Sequence, residues 1–187
     1  MKKIIILIVS FIIAFNAKGQ DVTFKWQPDG SMLTEEGKSF QVVSFEGKTK
    51  ESLYNELLVS ISSMYNNPQH VVSFVENELI SINAIQQVAW NVGGMVGTQK
   101  VNIHYVLKFH VKDGKAKVDA PYFTHLTFGS GGSQPDIPGW VKAQGFFNTD
   151  GTPNPKKGRE AFCISINQKF NNLINNILKL EQKDEDW

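Results

Sequence analysis

The stretch VNIHYVLKFHVKDGKAKVDAPY, residues 101–122, decides how this chain folds. Its apolar residues fall at every second position: Val101, Ile103, Tyr105, Leu107, Phe109 and Val111. That is the period of a strand with one buried face. Asp113-Gly114 is a favoured two-residue hairpin turn, because glycine takes the positive φ that such turns need. Pairing Lys112 with Lys115 sets Val111 opposite Ala116, Phe109 opposite Val118, Leu107 opposite Ala120 and Tyr105 opposite Tyr122, all on the apolar face. On the other face the same register brings Lys108 to Asp119, a favourable pair of opposite charges.

Upstream, Val71 to Glu76 and Leu79 to Trp90 read as two more strands. Ile80, Ile82, Ala84, Val88 and Trp90 share a face, and Gln86 interrupts it, which predicts a bulge or a strand bend near Ile85. Ser39 to Glu46 is a strand with Phe40, Val42, Val43 and Phe45 as its apolar positions. Thr49 is a good N-cap for a helix carrying Leu53, Leu57, Ile61 and Met64, ended by Asn66-Asn67-Pro68. Val22, Phe24 and Trp26 alternate as a short first strand before Pro28-Asp29-Gly30. Downstream, Phe162, Ile166, Phe170, Leu173, Ile174 and Ile177 form the stripe of a long last helix. The expected fold is α+β: a curved antiparallel sheet of about five to six strands, covered on one face by two helices. Residues 20–187 form one domain, with helix and sheet over 40–128, a long irregular loop over 129–157 and the C-terminal helix over 158–180.

Residues 1–19 have the pattern of a cleavable signal peptide. Lys2 and Lys3 precede the apolar run IIILIVSFIIAF, and Ala17 and Gly19 supply the small residues of a cleavage site before Gln20. The run spans positions 4–15, short of the roughly 20 residues that cross a bilayer. No cysteine lies near the cleavage point for lipid attachment. The expected location is periplasmic or extracellular, not as a lipoprotein and without an integral membrane span after cleavage. Losing Lys2, Lys3 and Lys18 leaves 16 basic against 18 acidic residues, so the formal charge goes from +1 to −2. A near-neutral chain has no electrostatic footprint for nucleic acid. Cys163 is the single cysteine and has no disulfide partner in the chain.

With "SFQVVSFEGKTKESLYNELL" at its first strand and helix and "VLKFHVKDGKAKVDAPYFTHLTF" at its last hairpin, the chain resembles an uncharacterised family of exported bacterial domains. The resemblance covers roughly Phe40 to Phe128. It implies a TATA-binding-protein-like fold and carries over no catalytic residue, the family having no established activity. A shared fold does not imply a shared function.

No motif names a reaction. His104 and His110 lie six residues apart on one strand, roughly 20 Å, too far to share a metal. His125 is expected opposite Asn102, diagonal to His104 at about 7 Å, without a third ligand. Cys163 sits near the buried stripe of the last helix, where a thiol acts as a small hydrophobe. Gly129-Ser130-Gly131-Gly132-Ser133 follows a strand as phosphate loops do, but Pro135 and Pro138 come next, and there is no lysine where such a loop needs one. The acidic residues are scattered. Neither a cofactor nor a metal is expected. Two segments remain as candidate binding elements: the glycine-rich loop 91–99 with Met95, and the 129–157 segment with Trp140, Phe146 and Phe147. The plainer expectation is that they fold back and plug one end of the sheet. The expectation is a non-enzymatic binding or interaction module for an envelope protein or a glycan. The alternatives are a carrier of a small apolar molecule between sheet and helix, or a hydrolase whose site assembles only in three dimensions.

Overall fold

The structure, a computed structural model, describes residues 21–94, 97–129 and 131–180. The predicted signal peptide, Met95 and the acidic tail 181–187 lie outside these residues. Among the described residues nine strands and three α-helices follow in order: β1 (Lys25–Trp26), β2 (Met32–Leu33), β3 (Phe40–Ser44), α1 (Lys50–Ser63), β4 (Val72–Val75), β5 (Leu79–Gly93), β6 (Gly97–Lys112), β7 (Lys115–Asp119), β8 (Tyr122–Phe128), β9 (Ser133–Gln134), α2 (Ile137–Gln144) and α3 (Arg159–Leu178). Strands β1 and β2 form a separate hairpin; the other seven make one antiparallel sheet in the order β3-β7-β6-β5-β4, with β8 against β6 and β9 against β8.

The 16-residue β6 organises the sheet. It pairs with β5 along one side and, on the other, first with β8 and then with β7. The hairpin register is the expected one from Lys112↔Lys115 to Phe109↔Val118. Beyond that it departs from expectation twice. The chain breaks at Ala120-Pro121: the extended register would set Pro121 in a hydrogen-bonded pair with Val106, and proline has no N–H to give the ladder. Pairing then resumes one residue out of step, as Val106↔Tyr122 and Tyr105↔Phe123. Thr124 adds a bulge, after which His104 faces His125. Phe123, not Tyr122, is therefore the inward residue, and Tyr122 is 69% exposed. A one-residue slip moves a side chain to the other face of a sheet.

The bulge expected near Ile85 is absent: β5 keeps continuous register through it, and the irregularity lies between Asn91 and Gly93. Gln86 stays half-buried opposite Ile103 and donates its amide to Gln87 O, so its polar group is met without a break in the strand. On β3 the inward residues are Gln41 and Val43, while Phe40 and Val42 face outward. Ala116 and Val118 on β7 draw Val43 and Gln41 to their own side.

Helices α1 and α3 cover one face, α3 over β5 and α1 over β6 and α3. Thr49 caps α1 by accepting from Ser52 N–H, and Leu53, Tyr54, Leu57 and Ile61 are buried beneath it. Phe162, Cys163, Ile166, Phe170, Ile174 and Ile177 are the buried stripe of α3. Gly158 at the start of α3 has φ +68° and lies against Asn91 O, so a side chain there would be strained and would strike the β5 backbone.

The segment expected to be an irregular loop is largely ordered. Residues 133–134 add to β8, α2 follows, and Phe147 bridges Pro153. The prolines did not prevent a helix, because proline in the first turn gives up an N–H that has no partner there anyway. Asp136 caps α2 by accepting from Gly139 N–H, and a side chain on Gly139 would collide with that carboxylate.

Candidate functional site

The two faces of the sheet differ in kind. On the covered face, Trp140 and Phe146 are buried and Phe147 is half-buried. Phe146 is the hub of an aromatic cluster. Its ring lies 5.4 Å from Trp26, 5.0 Å from Trp90, 4.9 Å from Trp140 and 5.1 Å from Phe162. Phe147 stands edge-on to Trp26 at 5.7 Å. These rings close one end of the core and are spent on packing. Toward the other end Phe170 lies 5.0 Å from Tyr105 and 4.9 Å from Phe123, with Phe109 fully buried beyond them. The space between sheet and α3 is thus occupied by side chains.

A further contact on this side was not foreseen. The extended segment 22–26, whose last two residues are β1 and pair with β2, also finds hydrogen bonds on α3. Asn175, Asn171 and Asn167, spaced four apart, accept from the N–H groups of Val22, Phe24 and Trp26 at 2.8, 2.9 and 2.7 Å. Asn171 and Asn175 also donate to the carbonyls of Phe24 and Val22 at 3.0 Å. One helix face thereby acts as a strand partner, and Val22, Phe24 and Trp26 can be buried without stranding their backbone. The signal in the sequence was the Asn spacing in NQKFNNLINN; a helical stripe read only for apolar residues passes over it.

The open face carries the rest. Register places Lys100, Lys108, Lys112, Lys115 and Lys117 there, with Asp119 as the only carboxylate on the described strands of that face. Asp119 does not meet Lys108, as the hairpin register had suggested. It is the last residue of β7 and accepts from Lys117 Nζ at 2.7 Å and His110 Nε2 at 2.8 Å. Burial works to raise its pKa, but those two hydrogen bonds outweigh it and hold the carboxyl below its ordinary value. Among the described residues no carboxylate lies within ion-pair distance of Lys108, Lys112 or Lys115. Between the lysines stand exposed apolar side chains: Tyr122, Ile85 (58%), Val42 (43%) and Phe40 (40%).

The two register shifts also bring His104 and His125 directly opposite one another, rings stacked with centroids 3.8 Å apart, where a diagonal pair was expected. His104 Nε2 contacts Thr127 Oγ1 at 3.3 Å and His125 Nδ1 contacts Thr124 Oγ1 at 3.2 Å. Desolvation and the neighbouring His125 lower the pKa of His104. Near-parallel rings point their lone pairs side by side rather than at one ion. Among the described residues no three of His, Cys, Asp and Glu come together as a metal site.

Cys163 is buried, its Sγ facing Phe146 O at 4.0 Å, and burial pushes the thiol up to about 12. A protonated, buried thiol is not a nucleophile. The glycine stretch after β8 closes the β8–β9 hairpin, with Phe128 N–H bonded to Gly132 O. A cleft of about 290 Å³ beside the β1–β2 hairpin is lined by Lys25, Gln27, Leu33, Thr34, Glu35 and Gly37. Its Lys25–Glu35 pair is largely exposed at 3.0 Å. No described helix is long and apolar enough to cross a membrane.

Comparison with known proteins agrees with this architecture. Residues 40–125 match the model of a family described as a domain of unknown function (DUF4468) with TBP-like fold. The crystal structure of a DUF4468 family protein from Bacteroides ovatus aligns with a TM-score of 0.60 at 9% identity, over 85% of this chain and 91% of that one. A TBP-like protein from Parabacteroides distasonis aligns at 0.49 with 13% identity, over 76% and 92%. No curated protein matches the chain. A seven-stranded antiparallel sheet with helices on one face, and a long C-terminal helix, agrees with the TBP-like fold in that family description, which residues 40–125 match.

Proposed function

We propose that this chain is an exported, non-enzymatic interaction module that engages an envelope partner through the open face of its sheet. The observation that carries this is the contrast within one sheet. The covered face spends its aromatics on a filled interior, while the open face leaves Tyr122, Ile85, Val42 and Phe40 exposed among lysines. Large apolar side chains exposed together on one surface mark an interaction site more often than chance. Packed rings around Tyr105, Phe123 and Phe170 speak against a carrier, since an apolar ligand needs the space they occupy. Export rests on the charge and hydropathy pattern of residues 1–19. The tagged protein, expressed in its own host, should fractionate with the envelope or medium and begin at Gln20. It should retain a partner through cross-linking and affinity capture that Tyr122→Glu and Ile85→Glu variants lose. Recovery from the cytoplasm with residues 1–19 attached, or identical capture by both variants and the parent, would overturn the proposal.

A further inference from the structure

The corner of the sheet formed by β3 and the β6–β7 hairpin combines three properties not found together elsewhere on the described surface. First, β3 is an edge strand. Ala120 N–H bonds Ser39 O and Phe45 N–H bonds Gly114 O. In an antiparallel ladder these bonds direct the backbone groups of Ser39, Gln41, Val43 and Phe45 toward β7. Those of Phe40, Val42 and Ser44 therefore point outward, and no described residue pairs with them through its backbone. Second, the edge is unguarded. Phe40–Ser44 contains no charge, no proline and no bulge, the devices by which edge strands avoid pairing. Third, the strands beside it are cationic. Lys112 and Lys115 are directly opposed, and Lys117 lies across from Val42. Like charges placed opposite one another destabilise a sheet, and a bound carboxylate would relieve that. Asp119 is committed to Lys117 and His110, and Asp113 to the N–H of Lys50. Glu46 follows at the far end, beyond Phe45.

The opposite edge makes a useful contrast. Strand β4 also leaves backbone unpaired, but its neighbour β5 presents Leu79, Ser81 and Asn83 to the open face, none of them charged. Only a polypeptide can use free strand N–H and C=O groups, and only an acidic one is favoured by the lysines. We infer that β3 accepts an extended acidic segment of a partner protein as an added strand. Alternate side chains of that segment lie beside Phe40 and Val42, and its carboxylates reach the lysines of β7 two strand spacings away, about 9.6 Å. This rests on the interaction-module proposal and gives it a partner class and a place.

The probe is a capped synthetic peptide with Glu at alternate positions and Val or Thr between, added to the ¹⁵N-labelled chain from Gln20 onward. The expected result is that amide exchange slows at Phe40, Val42 and Ser44, and that affinity falls as salt rises. A peptide with Lys in place of Glu should not bind. Lys112→Glu with Lys115→Glu should weaken binding about tenfold or more. Val42→Pro should abolish it while leaving the fold intact, because that N–H serves no bond within the sheet; the double lysine variant keeps the test open if the proline variant fails to fold. Equal binding of the Lys peptide overturns the inference, as does protection at Val72 and Phe74 instead of β3. Two other occupants would also overturn it: anionic lipid vesicles bound in preference to the peptide, or the chain's own residues 181–187, revealed if deleting them uncovers already protected β3 amides. If the peptide leaves β3 unperturbed while Tyr122→Glu still loses the envelope partner, the module proposal stands and this inference falls alone.

Discussion

The two faces of the main sheet are built from the same strands and obey opposite rules. On the covered face every second residue of β6, from Val101 to Val111, is buried against α1 and α3, and one end is closed by Trp26, Trp90, Trp140, Phe146 and Phe162. On the open face the intervening residues of the same strand are Asn102, His104, Val106, Lys108, His110 and Lys112, and nothing described packs over them. Burial sets the energy of the first face and solvent sets that of the second. Stability should therefore live on one side of the sheet and recognition on the other.

The harshest test of that division is Phe146→Ala set against Tyr122→Ala. Removing the hub of the aromatic cluster should cost about 3–5 kcal/mol in urea unfolding, while trimming the exposed Tyr122 should stay within about 0.5 kcal/mol. Similar costs at both positions would break the comparison. Asn171→Ala comes next. It removes both hydrogen bonds to Phe24 and should cost about 1–3 kcal/mol, through backbone groups left buried without a partner. Faster exchange of the Phe24 amide should accompany the loss, and the exposed Asn176→Ala should change neither.

Cys163 reports on the covered face chemically. Its thiol should resist alkylation at mildly alkaline pH in the folded protein and react promptly in denaturant. Its folded pKa is raised from 9.0 to about 12, so its contribution to stability is complete below about pH 9 and is lost as pH rises toward 12. Stability measured across that range should fall less in Cys163→Ala than in the parent chain.

The smallest effect belongs to the open face. His104 has a lowered pKa, so its contribution is present above 6.5 and is lost as pH falls through the folded value. The groups facing it are His125 across the strand pair, Thr127 and Ile85, with no acidic residue among them. His104→Gln should flatten stability against pH just below 6.5 and leave the lower limb, where Asp119 protonates away from His110 and Lys117, unchanged.

Much of the covered face was legible in the sequence, because strict alternation on β6, the Asp113-Gly114 turn and the Thr49 cap are local signals that tertiary structure had no reason to override. The candidate site was not. For Trp140, Phe146 and Phe147 the aperiodic segment left two readings, a binding loop or a plug folded back on the sheet; the plug holds for Trp140 and Phe146, and Asp136, Pro138 and Gly139 already spelled the start of α2. Tyr122 looked inward because the hairpin register was extended through Ala120-Pro121, where proline has no N–H for the ladder and the pairing slips by one residue. Net charge misled as well. A sum near zero conceals five lysines gathered on one face, since it carries no information about where charges lie.

By itself, then, the sequence determined α1, α3 and most of the strands in their order, the turn that starts the sheet and which face of β6 is buried, all of which depend on residues within a few positions of one another. Tertiary structure decided the rest: the break and bulge that turn Tyr122 out and stack His104 on His125, the asparagine ladder that accepts residues 22–26, and the uncovered edge at β3. Each of these is a contact between segments far apart in the chain, and each depends on competition for backbone hydrogen bonds that no single segment settles alone.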